Sequence, residues 1–297
     1  MKRVTRDHVI YAMDKANPPV AVVQPGERLL VETEDCFSGQ IKEATKSLGV
    51  WFDYSRINPA TGPIEVVGAN PGDVLEVVIE EIVLPRQGVM ATYPGWGPLG
   101  SDVRESMVKI VPIEGARVLF SSDISLPVRP MIGVIGTAPS GKAVPCGSPG
   151  PHGGNLDTKE ITCGTRVFLP VFVPEALLAL GDVHATMADG EVCGTAVECR
   201  AEVLIRVELH FGLHWKTPHL IREEHHYVLA SGATLEEAIQ LATRETVEML
   251  AYAQGLSWNE AYMLASLACD LQISQVVNPL KTVRVKIPSA LLPHTPL

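Results

Sequence analysis

The sequence predicts a mostly β fold, sandwich- or barrel-like, completed by α+β elements toward its C-terminus. Three observations carry this. Glycine (25) and proline (23) are frequent and scattered, cutting the chain into short apolar segments with turn chemistry between them. Many of those segments alternate in side-chain character, as strands do. Helical periodicity appears only late, in two places, each behind a capping box.

In chain order, the candidate strands are Val20–Val23, Arg28–Thr33, Ile64–Val66, Val74–Val83, Met107–Pro112, Arg117–Phe120, Arg166–Val173, Leu178–His184, Gly194–Cys199 and Ala201–Leu209. Pro71-Gly72-Asp73 turns into Val74–Val83, which carries apolar residues on both faces and so should be covered on both. Thr234 followed by Glu237 caps a helix over about 234–254, which should stop at Gly255. Ser257 followed by Glu260 opens a second, to about residue 270. Residues 1–200 therefore read as a mainly β region with the functional motifs. Residues 201–297 read as an α+β region packed intimately on it, with no clean linker between.

The 297 residues are 46% hydrophobic, enough for a sizeable core. A net charge of −10 and the lack of a Lys/Arg cluster argue against nucleic acid. No apolar run reaches the length of a membrane span, and the N-terminal MKRVTRDHVIYAMDK has no apolar stretch of a secretory signal. A cytoplasmic protein with no membrane partner is expected. The six cysteines form no CxxC pair and read as mostly buried free thiols.

The segment GDVHATMADGEVCGTAVE (181–198) sets acids and a histidine among small and apolar residues. On a strand Asp182 and His184 share a side, so they can offer an oxygen and an imidazole to one metal ion or form an acid–base couple. Asp189-Gly190 is a turn signal, which would fold Val192–Glu198 back as a hairpin and bring Glu191 toward His184. Taken singly, Asp189 would serve the turn, Glu198 would face water and Asp182 would cap a strand. Together, Asp182, His184 and Glu191 point to function, because buried charge is costly without compensation.

In SPGPHGGNLDTKEIT (148–162), Gly153 and Gly154 could let backbone N–H groups approach an oxyanion, and His152, Asn155 and Asp157 add polar side chains. In VETEDCFSGQI (31–41), Asp35 ends a strand and is a candidate third metal ligand. His210, His214, His219, His225 and His226 crowd together at spacings poor for one metal site. Tyr93, Trp96, Trp51 and Met131 are candidate pocket walls. Nucleophile-elbow, P-loop, dinucleotide and HExxH motifs are absent from the sequence, so hydrolysis here would run on a metal- or carboxylate-activated water.

The runs GVIGTAPSGK (133–142), GPHGGNLDTKEI (150–161), LALGDVHATMADGEVCGTAVE (178–198) and AYMLASLACDLQISQVVN (261–278) resemble the acetamidase/formamidase family, as do ETEDCFSGQI and GANPGDVLEVVIEEI. The resemblance implies hydrolysis of a small carboxamide to a carboxylate and ammonia, a homodimer or higher homo-oligomer, and a bound divalent metal. It leaves the amide open, since relatives also include a lactam-cleaving activity. The chemistry of the motifs then suggests Asp35, Asp182 and His184 as metal ligands. Zinc is the first choice, with calcium open as an additional ion. Glu191 would be the base, and His152, Gly153, Gly154, Asn155 and Asp157 would hold the substrate oxygen. Two alternatives stand beside this. One is a metal-free site using Glu191, Asp182 or the thiol of Cys193. The other is a binding protein without catalysis.

Overall fold

The computed structural model describes residues 1–43 and 52–293, so Trp51 lies outside the described residues. Two large sheets dominate. One has nine strands, in the order Lys2–Val4, Arg28–Thr33, Ala201–His210, Val74–Val83, Arg166–Pro170, His219–Arg222, His225–Gly232, Lys281–Pro288 and Asp270–Gln275. It crosses residue 200 without a break: Ala201–His210 pairs with Arg28–Thr33 on one side and Val74–Val83 on the other.

The eleven-stranded sheet is organised around Leu178–His184, buried at all seven positions. That strand pairs with Met131–Gly136, Ala60–Val66 and Glu198–Cys199. Inward side chains of both sheets share one core, including Val31, Val77, Ile79, Val203, Ile132, Ile135, Leu180 and Val183. Burial of such side chains is worth roughly 1.5–3 kcal/mol each, which makes this shared core the main force holding the two sheets together.

A second core lies between the nine-stranded sheet and the two helices. Helix α1 (Leu235–Gln254) buries Ala238, Ala242, Val247 and Leu250 against Val228, Ala230, Val283 and Val285. Thr234 caps it by accepting the Glu237 N–H, and Gly255 ends it with φ of 64°, a left-handed conformation that suits glycine. Helix α2 (Trp258–Ala268) opens on the reciprocal Ser257–Glu260 capping box. It stops two residues before 270 because Asp270–Gln275 is an edge strand. No described helix is long and apolar enough to cross a membrane.

The expected hairpin at 182–198 forms differently. Its arms do pair antiparallel, His184 opposite Glu198 and Val183 opposite Cys199. Asp189-Gly190 does not make the turn. The Gly190 N–H donates to the Ser274 carbonyl and its own carbonyl accepts from Val276 N–H, so this dipeptide docks on the distant Asp270–Gln275 strand. Residues 187–196 form a long loop, and the strand expected over Gly194–Cys199 shrinks to Glu198–Cys199.

Candidate active site

The centre of the site is built on neighbouring strands of the eleven-stranded sheet. Leu178–His184 supplies Asp182 and His184, and Glu198 projects from the strand beside it. Asp157 arrives just after Gly153–Asn155, and Glu191 from the 187–196 loop. All five are buried. Three carry backbone in the left-handed region: Asp157 (φ 36°), Asp182 (φ 55°) and Glu191 (φ 47°). Such backbone costs about 1–3 kcal/mol per residue and persists only where the surroundings impose it, a pattern concentrated at functional sites.

His184 Nε2 lies 3.1 Å from Glu198 Oε2, 3.4 Å from Asp182 Oδ1 and 3.9 Å from Asp157 Oδ1. None of these approaches has hydrogen-bond alignment. Both His184 ring nitrogens and the oxygens Asp157 Oδ1, Asp182 Oδ1 and Glu198 Oε2 are buried without a hydrogen-bond partner. Ligand atoms that converge while leaving one another unsatisfied suit a cation better than a proton network.

The electrostatics agree. Burial pushes Asp157 up to about 6, with Asp182 adding to the rise. Burial pushes Glu198 up to about 7, against the pull of His184 and with the push of Asp182. Glu191 is held well above the carboxylate range by burial first and Asp157 next. Burial alone would lower His184, but Glu198 and Asp182 outweigh it and hold the imidazole well above its ordinary value. The acids are short of positive charge.

Among the described residues, two groups of side chains bring possible ligand atoms within 4.8 Å of one another: Asp157, His184 and Glu191, and Cys36, Asp182 and Glu198. Gly133 makes room for them. A Cβ there would overlap Asp157 Oδ1 and come within 2.8 Å of Asp182 Oδ2. The donor set of imidazole, carboxylates and one thiol fits a divalent ion.

Several expectations need correction. Asp35 belongs to neither group. Its Oδ1 accepts the N–H groups of Phe37 and Gly39, so it shapes the turn that presents Cys36. Burial raises its carboxyl to about 6, offset in part by the Gly39 N–H. Glu198 does not face water; it is 1% exposed and opposes His184. The Gly153 N–H is taken by the Gly150 carbonyl, and Gly154 stands opposite Ile135 in the ladder, so neither glycine offers an evident oxyanion donor. What they provide is space: a Cβ on either would overlap a carbonyl, of Ile135 for Gly153 and of Ser148 for Gly154.

His152 is buried with Nε2 unpartnered, and burial alone lowers it to about 4. Asn155 also keeps a buried, unpartnered Oδ1. Neither joins the carboxylate groups. Three contributors were not anticipated: Cys36, Gly133 and Asn278. Asn278 donates to Asp157 Oδ2 (2.7 Å) and to the Asn155 carbonyl (3.0 Å). Cys36 had a weak signal in its adjacency to Asp35 at a strand end. Three of the crowded histidines are spent elsewhere: His219 bonds His226 and Glu245, and His210 bonds Glu76.

A cavity of about 500 Å³ is lined by Cys36 and Asn278, with Tyr11, Tyr54, Trp96 and Ser148 on its walls, and a second of about 460 Å³ is lined by Glu191. Tyr93 packs on Trp96 behind the wall, with ring centroids 5.6 Å apart. Met131 is fully buried opposite His184.

The sequence profile of the Acetamidase/Formamidase family matches residues 12–145 and 141–293. The chain belongs to the acetamidase/formamidase family. The solved structure of an acetamidase from Bacillus halodurans shares 45% identity, covers 99% of this chain and 100% of that one, and superposes with a TM-score of 0.96. That of a protein described as a predicted acetamidase/formamidase, from Thermoanaerobacter tengcongensis, shares 44% identity and covers 98% of this chain and 97% of that one, with a TM-score of 0.95. The formamidase of Methylophilus methylotrophus is 27% identical over 254 residues, 65% of this chain. The chain spans 60–63% of the length of the curated relatives it matches. The mostly β architecture with C-terminal helices is thus the acetamidase fold.

Proposed function

We propose that this acetamidase/formamidase family member hydrolyses a small carboxamide of the formamide or acetamide type to a carboxylate and ammonia. The observation that carries the reading is the buried convergence of Asp157, Asp182, His184, Glu191 and Glu198, with one cavity lined by Cys36 and Asn278 and another by Glu191. Two structures sharing 44–45% identity, one described as an acetamidase and one as a predicted acetamidase/formamidase, support the substrate class.

Asp157 and His184, with Cys36, Asp182 and Glu198 beside them, are the residues that would hold divalent metal, and Glu191, within 4.8 Å of the first two, is left free to act on water. Zinc suits the imidazole and thiol, and calcium would need an oxygen-rich second position. Bound there, a divalent ion would supply the positive charge that ionises these acids, polarises an amide carbonyl and acidifies water.

The chain's own groups do the rest. Glu191 is the base: its carboxylate takes a proton from the water whose oxygen attacks the carbonyl carbon. As the C–N bond breaks, Glu191 returns that proton to the leaving nitrogen, which departs as ammonia. Asn278 fixes Asp157 through its 2.7 Å hydrogen bond. His152 and Asn155, with unpartnered buried polar atoms and no place in the carboxylate groups, are the side chains left to bind the substrate's polar atoms. His152 stays neutral near pH 7, so it would donate or accept a hydrogen bond and add no charge. Cys193 is half-buried on the loop, donates its thiol to the Thr195 carbonyl at 3.2 Å and belongs to neither candidate ligand group. We place the protein in the cytoplasm as a homo-oligomer.

The test is metal analysis combined with ammonia release from formamide, acetamide and a γ-lactam. Ammonia from a linear amide supports the reading. Bound metal with no release from any amide would point to a binding protein.

A further inference from the structure

Arg284 is fully buried, on the Lys281–Pro288 strand of the nine-stranded sheet, and belongs to no part of the site described above. Its guanidinium reaches two separate loops. Nη2 donates to Glu160 Oε1 (3.0 Å) and to both Asp189 oxygens (2.8 and 3.0 Å). Nη1 donates to the Ile273 carbonyl (2.8 Å) and to Ser274 Oγ (3.3 Å). Glu160 lies three residues beyond Asp157, and Asp189 two residues before Glu191.

The neighbouring strand reinforces both grips. Thr158, next to Asp157, donates its hydroxyl to Ser274 Oγ at 2.9 Å. Gly190, next to Glu191, is hydrogen-bonded on both sides to the Ser274–Val276 backbone. Lys159 adds a 2.8 Å ion pair to Asp189. The loops bearing Asp157 and Glu191 thus meet at one buried cation.

We infer that Arg284 is a positioning residue that sets the spacing of Asp157 and Glu191 by clamping Glu160 and Asp189 together. The chemistry favours arginine at this point. A rigid planar fork with five donors can serve two carboxylates and a carbonyl at once, whereas a lysine cannot match that geometry. A buried guanidinium is tolerated only because both carboxylates neutralise it. Both site residues held in this way have left-handed backbone, a conformation the loops would relax if released.

The kinetic part of the test rests on the amidase reading; the exchange part does not. Arg284→Met, Arg284→Lys and Asp189→Ala are compared with wild type. Asp189 is partly exposed, so Asp189→Ala decides the matter if Arg284→Met does not fold. In the folded variants kcat falls by about 10–100-fold with KM within about threefold, as expected when reacting groups are misplaced by an ångström or less. Arg284→Lys recovers part of the loss. Amide exchange at 157–162 and 187–194 speeds up by at least about tenfold, while the Leu178–His184 strand stays protected. Exchange at 187–194 that matches wild type overturns the inference, as does a kcat within about twofold of wild type in folded Asp189→Ala. If wild type itself releases no ammonia, the amidase reading falls and exchange alone decides the clamp.

Discussion

His184 and Glu198 face each other across neighbouring strands, with Nε2 3.1 Å from Oε2 and neither atom hydrogen-bonded. The ladder register puts them there, so the contact is a property of the sheet and needs no mobile loop. Glu198 also spends its other oxygen on the Ala196 N–H, at 2.7 Å, which fixes its carboxyl toward the histidine. Glu198→Gln keeps that acceptor but removes the charge. It should lower affinity for zinc by about 10–100-fold, the range seen when groups around a metal are altered, and isothermal titration of the chelated protein measures this.

Glu191→Gln should leave the fold and metal content intact and lower kcat by about 10²–10⁴-fold, the usual worth of a general base. Steady-state ammonia release with metal analysis of the same sample checks it. Wild-type turnover in this variant would remove Glu191 as the base.

Gly133→Ala places a methyl group against Asp157 Oδ1 and Asp182 Oδ2. The two carboxylates must separate, so metal binding and turnover should fall together. Destabilisation should stay near the 1–3 kcal/mol of an overpacked site. Urea unfolding beside metal titration distinguishes this from general misfolding.

The crowded acids make the metal-free protein sensitive to pH. Asp157 rises to about 6 in the fold, because of burial and Asp182, from an ordinary value of 3.8. A raised carboxyl binds more protons folded than unfolded, so its stabilising contribution is full below about pH 4 and is lost as pH climbs through about 6. Asp157→Asn abolishes this penalty. With chelator present, the variant should melt above wild type at pH 8, by an amount on the order of 2 kcal/mol, and the gap should narrow toward pH 4. Zinc should reverse the order at pH 8 by stabilising only wild type strongly.

Much of this was readable from side-chain pattern. Short apolar runs mark Val74–Val83 and Leu178–His184, and the two capping boxes mark both helices, because those signals are local. The Met131–Gly136 strand was missed because its glycines weaken a strand pattern, yet Gly133 is there to admit two carboxylates. Asp182, His184, Glu191 and Asp157 stand out as charges in apolar surroundings, and they do converge. Glu198 looked like a solvated strand residue because nothing local shows which side of a sheet a lone glutamate takes. Asp35 shows the opposite difficulty: one oxygen of its carboxylate serves the local turn, a role that spacing cannot distinguish from that of a ligand. Asn278 and Arg284 act across 121 and 95 residues, and such pairings depend on how the sheets fold together.

The most direct measurement is ammonia release from formamide and acetamide by purified protein, chelator-treated and then reloaded with zinc, with Glu191→Gln in parallel. The account predicts that activity is lost with the metal, returns with zinc in wild type, and does not return in Glu191→Gln although that variant takes up the metal. Full amide hydrolysis by the metal-free protein, or by zinc-loaded Glu191→Gln, would contradict it.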